Sequence, residues 1–289
     1  MTSGYFIYNK SLSTDKFLKL KEAFFSESKN QNIELQFVDN SKSYQMIFDG
    51  LFIKKDFVIF WDKDVKLAQI LENAGHFVFN NSEAIFNCDD KSKTYMKLLN
   101  KNIEQPLTII SPLIFFNSLY KDDEFIDYCI KKLGLPLVIK ECFGSFGEQV
   151  YLAENKNQII NILQKIGVKP LILQKYIKTS YGRDIRIEVI GNEVVASVYR
   201  ENKNNDFRAN ITNGAIAEDF APNRDQINMA LTACKILNLD FAGVDILFGE
   251  NDKPILCEVN SNAYPLNVQK VTGVNIVEKI LLYIKNKVS

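Results

Sequence analysis

Two short segments near the C-terminus carry hard oxygen donors close together in the chain. Asp245 lies in AGVDILF, enclosed by Val244 and Ile246. Glu258 and Asn260 lie in PILCEVN, two residues apart, so a strand presents both on one face. A short GENDKP turn joins the segments. Two carboxylates and an amide oxygen on adjacent strands suit Mg²⁺, with phosphates and waters completing an octahedron. Two half-exposed strands with polar outer faces would carry the same residues.

Three further segments hold chemistry-bearing residues. In VIKECFGSFGEQV, Lys140 ends an apolar run ahead of Gly144, Ser145 and Gly147. Small residues let backbone N–H groups approach phosphate oxygens, and a lysine adds a point charge. No G-x-x-x-x-G-K-S/T follows, so this is not a Walker loop, and a plain β-turn explains two glycines as well. In GRDIRIEV, Asp184 and Arg186 share a strand face. The acid suits ribose hydroxyls and the arginine a phosphate or carboxylate, with a cross-strand ion pair as the alternative. In FRANITNG, Arg208, Asn210 and Asn213 offer donors for a phosphoryl group that gains charge. A polar surface loop is the other reading.

Such residues need a scaffold of some size. The chain has 289 residues, which favours two domains or three small ones. Hydrophobic residues make up 46% and charged residues 24%, ordinary values for a globular protein. Lys+Arg and Asp+Glu are both 35, so the basic surplus of a dedicated nucleic-acid binder is missing. No apolar run is long enough to span a membrane, and the N-terminus lacks a secretory pattern. The five cysteines, Cys88, Cys129, Cys142, Cys234 and Cys257, form no C-x-x-C pair. They read as reduced thiols of a cytoplasmic protein. The single histidine, His76, reads as structural.

Strand-like runs at 5–9, 33–39, 56–61 and 76–80 alternate with helical patterns at 14–29 and 65–75. That rhythm predicts a small parallel α/β unit. Helices are expected over 89–103, 122–133, 155–166, 224–237 and 273–285. Between them, PLILQKYI, DIRIEVIGNEVVASVYREN, FAGVDILFG and PILCEVN read as strands. Gly191-Asn192 marks a hairpin.

The order of these segments is more telling than any one of them. A lysine before a Gly-rich turn, then D-x-R, then R-x-N, then V-D-I-L, then E-V-N resembles the ATP-grasp superfamily, and within it the RimK-type α-L-glutamate ligases. The resemblance runs from about Asp89 to the C-terminus. It implies an α/β fold, α+β in its C-terminal part, with a pre-ATP-grasp α/β domain over 1–88 and an ATP-grasp domain over 89–289. The latter divides into a nucleotide-clamping part, 89–178, and a metal- and substrate-binding part, 179–289. It also implies roles by position. Lys91 and Lys140 match the two ATP lysines, and the 144–147 turn matches the loop that closes over phosphates. Lys175, Tyr176 and Ile177 match the adenine hinge, and Asp184 the ribose acid. Arg208 and Asn210 match the groups near the γ-phosphate and substrate, with Arg208, Asn210 and Lys140 as the catalytic set. Asp245, Glu258 and Asn260 match the metal ligands.

The sequence departs from the pattern in three places. Lys175 stands where the hinge usually has Glu. Cys142 and Phe143 precede the glycine turn, where smaller or Pro-containing sequence is common. SNAYPLN follows Asn260 in place of a small-residue turn with Pro and Gly, which leaves substrate identity open. The implied activity is ATP- and Mg²⁺- (or Mn²⁺-) dependent amide formation through an acylphosphate. The implied substrates are small-molecule or peptide carboxylates and amines, and the family habit is a homodimer. The alternatives are an ATP-grasp phosphotransferase and a non-catalytic ATP-binding module.

Overall fold

The computed structural model describes residues 1–144, 147–204, 206–210 and 214–289. β1 (Thr2–Tyr8), β2 (Ile33–Asp39), β3 (Phe57–Trp61) and β4 (Val78–Phe79) form a parallel sheet in the order β2-β1-β3-β4. They alternate with α1 (Asp15–Asn30), α2 (Asn40–Phe48) and α3 (Val65–Asn73). β3 is buried at every position, as a parallel strand covered on both faces requires. Side-chain oxygens of Thr14, Asp39 and Asp64 cap the three helices, each cap contributing about 0.5–2 kcal/mol. The sequence pattern does not announce α2, whose only buried residue is Ser43.

A single helix is expected over 89–103. The chain instead forms α4 (Ser82–Asp89) and α5 (Lys91–Leu98), which meet at Asp90. Asp90 leaves helical geometry, and its carboxylate accepts the N–H groups of Ser92 and Lys93 to start the second helix. Positive φ at Asn100 and Asn102 follows, so no helix continues to 103. Lys91 is thereby the first residue of α5.

β5 (Thr108–Ile110), β6 (Leu137–Glu141), β7 (Val150–Ala153) and β8 (Leu171–Lys175) form an antiparallel sheet, ordered β5-β8-β6-β7. α6 (Asp123–Leu133) and α7 (Lys156–Ile166) back it through one apolar cluster. β9 (Arg183–Ile190), β10 (Glu193–Glu201), β11 (Ile216–Asp219), β12 (Phe241–Phe248) and β13 (Pro254–Asn260) form a second antiparallel sheet, ordered β11-β10-β9-β12-β13. α8 (Arg224–Ile236) covers one of its faces, and α9 (Leu266–Thr272) and α10 (Ile276–Val288) close the chain. The β9–β10 hairpin turns at Gly191, where φ is 58° and a Cβ would come within 2.6 Å of the Tyr283 ring.

The N-terminal sheet is locked onto the last one. Trp61 stacks on Phe241 with ring centroids 5.7 Å apart, and α10 packs Ile280 and Ile284 into the same cluster as Phe24. Buried Asn80 donates to the carbonyls of Phe241 and Ser261, both at 2.9 Å, and accepts the Asp240 N–H at 2.7 Å. Among the described residues, no helix is long and apolar enough to cross a membrane.

Candidate active site

Strand alternation sorts the last sheet into two faces. Ile185, Ile187, Val189, Val244, Ile246, Leu256 and Val259 pack with Ala230, Ala233 and Cys234 of α8. The opposite face carries Asp184, Arg186, Glu188, Arg200, Asp245, Glu258 and Asn260. All of these except Glu188 line a cleft of about 230 Å³ that also takes in Val138 and Lys140 of β6. Asp245 stands between Arg186 on β9 and Glu258 on β13, and Asn260 stands opposite Gly243.

Four of these groups form a buried ion-pair ladder. Arg200 grips Asp184 through Nε and Nη2, both at 2.7 Å, and Nη2 also donates to Asp245 Oδ1 at 2.8 Å. Arg186 holds Asp245 through Nε and through Nη2 at 2.8 Å. Gly243 leaves the room for this, since a Cβ there would meet Arg186 Nη1 at 2.8 Å. Glu188 lies 3.9 Å from that Nη1, and its Oε1 has no hydrogen-bond partner among the described residues. Burial pushes the Asp245 carboxyl up, but Arg186 and Arg200 outweigh it and hold it below the usual carboxylate range. Burial pushes Glu188 up to about 7 against the pull of Arg186. Both Asp184 oxygens are engaged by Arg200. Asp184 thus takes part in a cross-strand ion pair.

From the other side of the cleft, Lys140 brings Nζ to 3.9 Å from Cys257 Sγ on β13. Lys91 brings Nζ to 3.6 Å from Glu258 Oε1. Its own N–H donates to the Cys142 carbonyl at 3.1 Å, which ties α5 to the end of β6. Burial pushes the Cys257 thiol up to about 11, so it is protonated at neutral pH and no candidate thiolate. Gly144 and Gly147 line the cleft. The Gly147 carbonyl accepts from Arg208 Nη1 at 2.6 Å, while Arg208 Nη2 pairs with Asp206 at 2.7 Å. Asn210 lines the same stretch. Ser145 and Asn213 lie outside the described residues.

Lys175, Tyr176 and Ile177 leave the end of β8 and also line the cleft, with Leu247 and Phe207 beside them. The Lys175 N–H donates to the Leu107 carbonyl at 2.8 Å. The Tyr176 ring meets Phe207 edge-on at 6.3 Å, and its buried hydroxyl has no partner among the described residues.

Among the described residues, no group of three or more His, Cys, Asp or Glu side chains is arranged to hold a metal. A cation here would rest on Asp245, Glu258 and the Asn260 amide, all hard oxygen donors, a set that fits Mg²⁺ or Mn²⁺. It would compete with Arg186 and Lys91 for the carboxylates.

Arg200 and Lys16 also line the cleft, and sequence reasoning missed both, while Tyr264 and Asn267 line it from the SNAYPLN turn that the sequence had singled out. Arg200 had a signal, since it follows Asp184 across a hairpin. Lys16 had none, because α1 lies in the N-terminal unit.

A cleft with a lysine strand and Gly-containing turn on one side and an acid-bearing antiparallel sheet on the other is the ATP-grasp arrangement. The family model for the RimK-like ATP-grasp domain matches residues 88–284. An uncharacterized protein of Mycoplasma pneumoniae is 33% identical over 212 residues, covering 72% of this chain and 73% of its own. The ribosomal protein bS6–L-glutamate ligase of Escherichia fergusonii is 35% identical over 216 residues, covering 74% of this chain and 69% of its own. The D-alanine–D-alanine ligase structure from Bacillus anthracis superposes with a TM-score of 0.77 at 18% identity, over 100% of this chain and 97% of that one. A RimK domain protein from Sphaerobacter thermophilus gives 0.70 at 17% identity, over 98% and 99%. The chain belongs to the RimK-like ATP-grasp family.

Proposed function

We propose that this protein is an ATP- and Mg²⁺-dependent carboxylate–amine ligase that joins an amino acid to a small-molecule or peptide partner. Family membership supports the reaction class, and a relative named as a ribosomal protein bS6–L-glutamate ligase supports an amino acid as one substrate. The observation that carries the reading is the charge of the cleft. Nine Lys and Arg side chains line it against four Asp and Glu, in a chain of zero net charge. Such a concentration of cations is arranged for a polyanion.

In this reading ATP supplies the phosphoryl group that activates a carboxylate as an acylphosphate, and the metal neutralises its charge. Tyr176, Ile177, Phe207 and Leu247 would take the adenine, the backbone at 175–177 reading its edge. Lys91 and Lys140 would hold the phosphates. Asp245, Glu258 and Asn260 would hold the metal, with Arg208, Asn210, Gly144 and Gly147 at the reacting end. Positioning and charge neutralisation do the work, and no nucleophilic Ser or Cys is required. The division into a 1–88 unit and an 89–289 ATP-grasp unit belongs to the same proposal.

The test is ADP release from ATP and Mg²⁺ across a panel of amino acids and short peptides, singly and in pairs, with hydroxylamine as an acylphosphate trap. ADP that forms with an acid–amine pair, and a hydroxamate with the acid alone, is the expected result. Stable phosphoryl transfer without an amine would make it a phosphotransferase. Tight ATP binding without ADP release would make it a non-catalytic module.

A further inference from the structure

Arg208 bridges the segment between β10 and β11 to the turn between β6 and β7. Its Nη1 donates to the Gly147 carbonyl of that turn at 2.6 Å. On its own segment it is gripped by Asp206, with Nε donating to Oδ1 at 3.0 Å and Nη2 to Oδ2 at 2.7 Å. The backbone N–H of Arg208 also donates to Asp206 Oδ1, at 2.9 Å. One carboxylate thus fixes both the root and the tip of the same side chain. The hydrogen bonds from Arg208 hold the Asp206 carboxyl below its usual range, so it is ionised at neutral pH.

The backbone beneath the pair is tied down as well. The Phe207 carbonyl accepts the Gly182 N–H at 3.0 Å, and the Arg208 carbonyl accepts Asn202 Nδ2 at 3.2 Å. Gly182 has a φ of 65°, and a Cβ there would come within 3.0 Å of the Asp206 carbonyl, so the segment lies directly against the start of β9.

A guanidinium carries five N–H groups. Asp206 and Gly147 take one from Nε and one from each Nη, which leaves one N–H on each Nη of a side chain that lines the cleft. A side chain ordered beforehand meets an anion without drawing its ordering cost from the binding free energy. We propose that Asp206 is a positioning residue that presets Arg208 for the terminal phosphoryl group of a bound nucleoside triphosphate. This role rests on the reading of the cleft as an ATP site. Asp206 acts through Arg208 and not on the nucleotide itself.

Affinities for ADP and for the β,γ-imido analogue of ATP, each with Mg²⁺, are measured by calorimetry in wild type, Asp206→Asn, Arg208→Met and the double variant. Wild type is expected to prefer the analogue. Asp206→Asn should lose roughly tenfold or more of that preference, while affinity for ADP, which has no terminal phosphoryl group for Arg208 to meet, stays within about twofold. In the Arg208→Met background, Asp206→Asn should change nothing further, because its effect passes through the arginine. Asp206→Ser replaces Asp206→Asn if the latter does not melt cooperatively. An equal loss for both nucleotides, additive effects of the two substitutions, or tighter analogue binding without the carboxylate overturns the assignment. A wild type that binds neither nucleotide would overturn the ATP reading and this role with it. Equilibrium binding needs no turnover, so failure of every acid–amine pair to release ADP would sink the ligase reading alone.

Discussion

Asp245 and Glu258 stand directly opposite each other because Cys257 is bulged out of register between β12 and β13. On the turn side of the bulge, Ile246 faces Leu256. That register, if continued, would set Asp245 against Cys257 and turn Glu258 onto the apolar face. The extra residue brings Glu258 to the cleft beside Asp245, where Arg186, Arg200 and Lys91 counter the two carboxylates.

Glu258→Gln is therefore expected to raise the Mg²⁺ concentration needed for half-maximal ADP release by roughly tenfold or more. Asp245→Asn should do the same. It should also lower the urea midpoint, because it leaves Arg186 and Arg200 with less counter-charge. Magnesium titrations indistinguishable from wild type in both variants would remove the metal assignment.

Arg200 bridges Asp184 and Asp245 and is only 5% exposed. Arg200→Met leaves two buried carboxylates short of a partner, a change that costs about 3–5 kcal/mol. Urea denaturation at neutral pH measures this. A loss below about 1 kcal/mol would mean that the pair adds no more than a surface bridge.

Lys140→Met makes the opposite split. The side chain is buried and touches Cys257, so an apolar replacement of similar length should leave stability near wild type or above it. Turnover should fall by roughly 10²–10³-fold if the ammonium stabilises phosphoryl charge. Equal activity in the two proteins would place that charge elsewhere.

Glu188 makes a prediction in pH. Burial raises its carboxyl from the ordinary 4.5 to about 7, with Arg186 and Arg200 pulling down and Asp245 pushing up. Its charge also acts on the Cys234 thiol of α8. The folded state therefore holds this proton more tightly than the unfolded chain. Its contribution to stability is fully present below pH 4.5 and is lost as pH rises through 7. In protein free of metal and nucleotide, wild type should lose up to about 3 kcal/mol relative to Glu188→Gln across that window. A stability difference that is flat from pH 4.5 to 7 contradicts the raised value.

In two strands the residues that share a face were legible in the sequence. Alternation alone separates Asp184 and Arg186 from Ile185 and Ile187, and Glu258 and Asn260 from Val259. The βα rhythm of the first unit and the Gly191-Asn192 hairpin were legible as well, because both are local signals. The order of the segments pointed to the family.

Which residues meet across strands was not legible. The two-residue hairpin pairs Ile190 with Glu193, and that register continued would set Tyr199 against Asp184. A bulge between Val194 and Ala196 sets Arg200 there instead, and a second bulge sets Glu258 against Asp245. Lys16 reaches Tyr264 only because Trp61, Asn80 and α10 dock the first sheet onto the last. Periodicity encodes the face a side chain takes, since each residue alternates with its neighbour. Register and docking depend on packing between segments far apart in the chain, and the tertiary structure alone decides them.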